Sequence, residues 1–263
     1  MNQLNNTLHL PISLADSEIH LWLIDEQDVI NAGVIGNYPS LVSMDELQRS
    51  TGFKSSKRRQ QFLITRAALR SILSFYMPSI SPQDFRFSVN PFGKPALEGS
   101  LCNIQFNVSH SHSKILIGIS AEGFIGVDIE FINRKRDIFK IAEHYFHHQE
   151  WNSSILQEVE EPVARFYQLW TLKEAFIKAQ GKGLSIPLNS FFFDNCHSHY
   201  PTLNLSSSLS PPKKSWIFSH AFVDIDYSLA IAVDNTQCTE ALKLVVRKYI
   251  PLHSCSMTTL GKQ

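Results

Sequence analysis

The stretch Gly126-Val127-Asp128-Ile129-Glu130 constrains this chain more than any other. Side chains alternate along an extended strand, so residues two apart share a face. Val127, Ile129 and Phe131 therefore turn toward an apolar layer, while Asp128 and Glu130 stand side by side on the opposite face. Adjacent carboxylates repel each other unless a cation lies between them. A hard divalent ion with oxygen ligands, Mg²⁺ or its relative Mn²⁺, satisfies both; a half-buried strand with a solvated acidic face is the plain alternative. Just upstream, Lys114-Ile115-Leu116-Ile117-Gly118-Ile119-Ser120 is a second apolar strand. The turn Ala121-Glu122-Gly123 between the two predicts a hairpin with both acids on its second arm.

Composition narrows the setting. The 263 residues suffice for one large domain or two small ones, and 24 Lys and Arg balance 24 Asp and Glu. No global field thus points to a nucleic acid or an anionic membrane. No apolar run approaches the roughly 18 residues of a membrane span. The first residues lack the basic start and long apolar core of a secretory signal. Cys102, Cys196, Cys238 and Cys255 form no CxxC pair, the pattern of reduced thiols in a cytoplasmic protein.

In chain order, residues 18–25 read as a strand, and Gly33, Gly36 and Pro39 interrupt the polar stretch after it. Ser43-Met44-Asp45-Glu46-Leu47 reads as a helix start. Residues 49–70 hold seven basic side chains and no acidic one, with Phe62, Leu63, Leu69 and Leu73 at helical spacing. Such a helix offers one face to a core and another to phosphates. Asn90 to Pro95 is a turn-rich loop presenting Lys94. At the strand end Ser109-His110, adjacent side chains face opposite ways and no G-x-S-x-G elbow is present, which argues against a hydrolase triad. A hydroxyl and an imidazole meeting a phosphate fit better, beside the option of a hydrogen-bonded structural histidine.

Residues 138–151 read as a helix containing His144, His147, His148 and Glu150, but the HExxH zinc pattern is missing. The longest helical pattern opens at Pro162, buries Val163, Phe166, Leu169, Trp170, Phe176 and Ile177, and stops at Gly181-Lys182-Gly183. Glu174 and Lys178 sit on it at i,i+4, which alone signals only a surface ion pair. Residues 185–193, 215–223 and 227–233 read as strands, 206–214 as a serine-rich loop, 241–250 as helix or strand, and the tail from 251 as mobile.

Taken together, Phe92-Gly93-Lys94-Pro95, Phe106 to Ser111 (FNVSHS), Gly126 to Glu130 (GVDIE), Trp170 to Leu184 (WTLKEAFIKAQGKGL) and the basic Phe62 to Arg70 (FLITRAALR) resemble, in order and separation, the motifs of the Sfp-type 4′-phosphopantetheinyl transferases. The resemblance covers residues 18–235. It implies an α+β fold of two similar α/β subdomains in a pseudo-twofold arrangement within one monomer, the active site lying in the cleft between them. The divisions would be 1–122, 123–250 and a mobile tail 251–263. The implied reaction moves 4′-phosphopantetheine from coenzyme A to a serine of an apo acyl or peptidyl carrier protein, with Mg²⁺ as cofactor and 3′,5′-ADP as leaving group.

By the same resemblance Asp128, Glu130 and Glu174 hold the metal. Lys94, Ser109, His110, Arg66, Lys54, Lys173 and Lys178 contact coenzyme A. Glu174, Lys173 and Glu150 form the catalytic group, with Glu174 favoured as base. A metal-dependent nuclease is a rival, but D…(D/E)xK would need a lysine where Ile132 stands. A nucleic-acid-binding module built on residues 49–70 is a second, weakened by the neutral charge balance.

Overall fold

A strand that is apolar on both faces belongs in the middle of a layered structure. β1 (Glu18–Asp25) is such a strand, with its six interior residues all buried. The computed structural model describes residues 11–99, 104–121, 123–152, 161–196, 201–205, 216–234 and 242–260. Cys102, Cys238, Glu122 of the expected hairpin turn and the 206–214 loop lie outside the described residues.

After β1, Asp25 accepts the Gln27 amide and caps α1 (Glu26–Ala32), which Gly33 closes in the left-handed conformation. α2 (Met44–Thr51) begins at a reciprocal capping box between Ser43 and Glu46. The basic stretch is then split, because α3 (Ser56–Tyr76) starts anew with Ser55 as its cap. β2 (Phe87–Val89) and β3 (Pro95–Leu97) form a ribbon around the Lys94 turn. β4 (Gln105–Ser111) and β5 (Lys114–Ser120) make a hairpin that turns at His112, whose φ is 50°.

β6 (Ile125–Phe131) follows, then α4 (Ile138–Tyr145), shorter than its expected span, and α5 (Pro162–Gln180). β7 (Phe191–Asp194) pairs with β8 (Thr202–Leu205), and short 3-10 turns occupy much of the strand expected over 185–193. β9 (Trp216–Val223), β10 (Tyr227–Asp234), β11 (Lys243–Ile250) and β12 (Ser254–Thr258) complete the chain.

Two sheets carry the architecture, one ordered β12-β11-β1-β5-β4 and one ordered β6-β10-β9. Ile64, Ala68, Leu69 and Ile72 of α3 pack on Trp22, Ile24, Phe106 and Ile115. Phe166, Leu172 and Phe176 of α5 pack on Phe218, Ala230 and Ala232. A third cluster joins Leu21, Leu23 and Leu116 of the first sheet to Val127, Ile129 and Ile231 of the second. The layers are helix, sheet, sheet, helix, so each half is a sheet backed by one long helix. Each aliphatic side chain fully removed from water in these layers contributes about 1.5–3 kcal/mol.

The expected hairpin from β5 into β6 does not form. β5 is paired along its whole length by β1 on one edge and β4 on the other, so no edge remains for β6. β6 opens the second sheet instead, antiparallel to β10. The stretch read as helix or strand is the strand β11, parallel to β1, and within the expected tail β12 pairs with β11. The free edge of β1 recruits this segment, which buries Val245, Val246 and Tyr249. The chain beyond 242 thus returns to the sheet of the first half.

Candidate active site

β4 and β6 run beside each other at the edges of their two sheets, yet among the described residues no main-chain ladder joins them. Side chains do so. Asn107 Oδ1 accepts the Val127 amide at 2.9 Å, Ser109 Oγ the Ile129 amide at 3.3 Å, and Ser111 Oγ the Phe131 amide at 3.0 Å. Three alternate residues of one strand satisfy three alternate amides of the next, which covers the exposed edge of β6 and fixes its register. The acidic pair lies on this seam.

α5 closes over it because β6 carries glycine at 126. A Cβ there would fall inside the van der Waals radii of the Ala175 carbonyl oxygen and the Ala179 amide nitrogen. The Gly126→Ala variant is expected to lift α5 from the strand, costing about 1–3 kcal/mol by overpacking. Urea denaturation measures that cost, and the transfer rate of the folded fraction measures the displacement of Glu174 and Lys178.

On the face that this approach brings to β6, Glu174 and Lys178 stand one turn apart. Lys178 Nζ meets Asp128 Oδ1 at 2.6 Å and Ser109 Oγ at 2.8 Å, and Ser109 donates to the same carboxylate oxygen at 2.8 Å. Asp128 is only 3% exposed, and its other oxygen, Oδ2, is buried with no hydrogen-bond partner among the described residues. Burial first and the neighbouring Asp128 second push the Glu130 carboxyl above its ordinary range. Glu174 is raised likewise by burial and then by Asp128, with Glu130 adding to the effect. Three acids thus share one electrostatic environment in which Lys178 is the cation at hand.

Among the described residues, no group of three or more His, Cys, Asp or Glu side chains already stands at metal-ligating geometry. The donor chemistry nevertheless fits a hard divalent ion. All three groups are carboxylates, burial and then the charge of Asp128 hold two of them toward protonation, and Asp128 Oδ2 is a buried acceptor with no donor among the described residues.

The other expected site residues divide. Ser109 is 5% exposed and fully engaged by Ile129, Asp128 and Lys178, so its present role is to orient the acid. His110 points to the opposite face and is exposed; it and Lys57, which sequence reasoning did not single out, both act on the buried Glu26. Lys54 is exposed in the link before α3. Lys94 donates to the carbonyls of Ile125 (3.1 Å) and Ala179 (2.9 Å), and burial lowers its pKa to about 8. Together with the bond from Asn90 Nδ2 to Gly181 O (2.7 Å), Lys94 straps the β2–β3 turn to α5 and β6. Arg66 is committed to Glu46, which it shares with Arg70, and lies 4.6 Å over the Phe87 ring.

Lys173 and Glu150, expected in the catalytic group, pair with each other instead of joining Asp128, Glu130 and Lys178. Both side chains are fully buried and form an ion pair at 2.5 Å beside the core rings of Phe146 and Phe191. Lys173 also donates to the carbonyls of Leu188 and Phe191 at 2.7 Å each, while Glu150 accepts the amides of His147 and Phe193 at 3.0 Å each. Residues 173 and 174 are about 100° apart around a helix, so one faces the seam and the other the core. Sequence reasoning also missed Asn107 and Ser111; the polar alternation of Asn107, Ser109 and Ser111 in an otherwise apolar hairpin was the available signal.

A family profile described as the 4′-phosphopantetheinyl transferase superfamily matches residues 124–232. A Synechocystis sp. protein, whose name assigns it provisionally to the 4′-phosphopantetheinyl transferases, is 35% identical over 221 residues, 83% of this chain and 88% of that one. The 4′-phosphopantetheinyl transferase Sfp of Bacillus subtilis is 29% identical over 208 residues, 79% of this chain and 89% of its own. HetI of Nostoc sp., named as the same kind of enzyme, is 30% identical over 178 residues, 66% and 73% of the two chains.

Proposed function

The chain belongs to the 4′-phosphopantetheinyl transferases, and on that footing we propose that it transfers the 4′-phosphopantetheine arm of coenzyme A to a serine of an apo acyl or peptidyl carrier protein. The observation that carries this reading is the meeting of Asp128, Glu130, Glu174 and Lys178 on the seam between the halves, with Asp128 Oδ2 buried and unpartnered among the described residues. Asp128, Glu130 and Glu174 would hold Mg²⁺, or Mn²⁺ in its place. The bound ion would supply charge neutralisation on the pyrophosphate and on the departing 3′,5′-ADP.

The chain's own residues do the rest. Lys178 exchanges its bond to Asp128 for one to a pyrophosphate oxygen, and Lys94, at the strap between the β2–β3 turn and α5, contributes a further cation. His110 with Lys57, both close to Glu26, offers a separate face for the 3′-phosphate, Lys54 is a further exposed cation before α3, and Arg66 serves the nucleotide only by way of the Glu46 network. The carrier serine oxygen bonds to the phosphorus next to the pantetheine arm as the bridging P–O bond breaks. The serine proton passes to Glu174, directly or through water.

Because one chain supplies both sides of the seam, the reading is of a monomer. On this reading the enzyme works in the cytoplasm without a membrane or nucleic-acid partner. Incubating the protein with coenzyme A, Mg²⁺ and a panel of apo carriers and weighing the carriers tests it. The expected outcome is the mass gain of one phosphopantetheine, lost with EDTA and restored by Mg²⁺ or Mn²⁺. No gain on any carrier, or cleavage of DNA instead, overturns the reading.

A further inference from the structure

The two serines of β4 repeat one arrangement. Ser109 Oγ donates to Asp128 Oδ1 at 2.8 Å and accepts the amide of the next residue, Ile129, at 3.3 Å. Ser111 Oγ donates to Glu130 Oε2 at 2.8 Å and accepts the amide of Phe131 at 3.0 Å. Each serine therefore reads a carboxylate and the following amide of β6 at the same sequence offset. A hydroxyl has a single proton to give. With the oxygen anchored to a main-chain amide of β6, that proton is directed at the carboxylate beside it, and the anchor does not move with the acid's side chain. Ser109 shares its oxygen with Lys178, whereas Ser111 makes only these two bonds among the described contacts.

We propose that Ser111 is a positioning residue for the cation site: its hydroxyl, clamped by the main chain of β6, fixes the rotamer of Glu130 by one oxygen and leaves Oε1 to the metal. The inference rests on the reading of Asp128, Glu130 and Glu174 as metal ligands. Asp128 and Glu130 stand two residues apart on one face of β6, so an acid left unclamped is free to turn away from its neighbour. The clamp holds it beside Asp128, where one cation can meet both carboxylates.

The test is Mn²⁺ binding to the metal-free protein, followed by the free-ion electron paramagnetic resonance signal and by Mg²⁺ competition. Ser111→Ala is expected to weaken Mn²⁺ binding by about 10–100-fold, the range found when a hydrogen-bonding partner of a metal ligand is removed. The matched pair Ser111→Thr and Ser111→Val, equal in size and both at ease in a strand, isolates the hydroxyl: Thr retains the affinity and Val loses it. The Mg²⁺ concentration for half-maximal transfer rises with the Mn²⁺ dissociation constant, while the rate at saturating Mg²⁺ stays within about twofold. A purely structural serine would lower the melting temperature and leave Mn²⁺ affinity unchanged in Ala and Val alike, which overturns the proposal. Wild-type protein that binds no Mn²⁺, or an Asp128→Ala variant that binds it as well as wild type, overturns the metal reading itself and the role of Ser111 with it.

Discussion

Asp128→Ala is expected to lower phosphopantetheine transfer by at least about 10²–10³-fold, the loss typical when one preorganised charge-stabilising group is removed from an active site. The fold should survive. Asp128 turns its carboxylate away from the apolar layer of Val127 and Ile129, so the packing between the sheets is untouched. Its two bonds, from Lys178 and Ser109, are charge-assisted and contribute about 1.5–3 kcal/mol each, but removing a 3% exposed carboxylate also relieves its desolvation. Lys178, 29% exposed, can turn its ammonium to water, and Ser109 keeps the Ile129 amide. Carrier mass under single-turnover conditions reads the chemistry, and circular dichroism with a urea melt reads the fold. A well-folded Asp128→Ala protein that transfers at the wild-type rate ends the metal assignment.

Periodicity placed the parts of this site on their faces, and the family resemblance joined them. The two-residue repeat of Gly126 to Glu130 put Asp128 and Glu130 on one face, and the four-residue step from Glu174 to Lys178 put a carboxylate and an ammonium on one helical stripe; the structure brings these two faces together. The same local reasoning failed wherever the answer depended on which edges and faces were already taken. An apolar strand, a turn and another strand signal a hairpin, but nothing within residues 114–131 reveals that β1 and β4 occupy both edges of β5. The strand at Ser254–Thr258 has little apolar content, and only the free edge left by β11 makes it a strand. Lys94 and Arg66 read as free cations because their partners are main-chain carbonyls of another element and a glutamate 20 residues away. Ser111 stayed hidden because a serine in a strand is common, and its meaning appears only beside the amides of β6.

Lys173 shows the same limit most sharply, and it carries the second large expected effect. Removing either member of its pair, by Lys173→Met or Glu150→Ala, is expected to cost about 3–5 kcal/mol, because the survivor is left as an uncompensated charge in a dry core. That core is tight: the ammonium lies 4.3 Å over the Phe191 ring, and neither side chain reaches solvent. The double variant should cost less than the sum of the singles by about 0.5–3 kcal/mol, the coupling expected of residues in one network. It will still fall short of wild type, since the amides of His147 and Phe193 and the carbonyls of Leu188 and Phe191 lose their partners. Activity per folded molecule, measured at a temperature where each variant remains native, should stay near wild type. A general base at position 150 would produce the reverse pattern, a stable protein that binds coenzyme A and does not turn over. The two patterns share no outcome, so one urea melt and one rate decide whether this acid serves the chemistry or the helix that carries Glu174 to it.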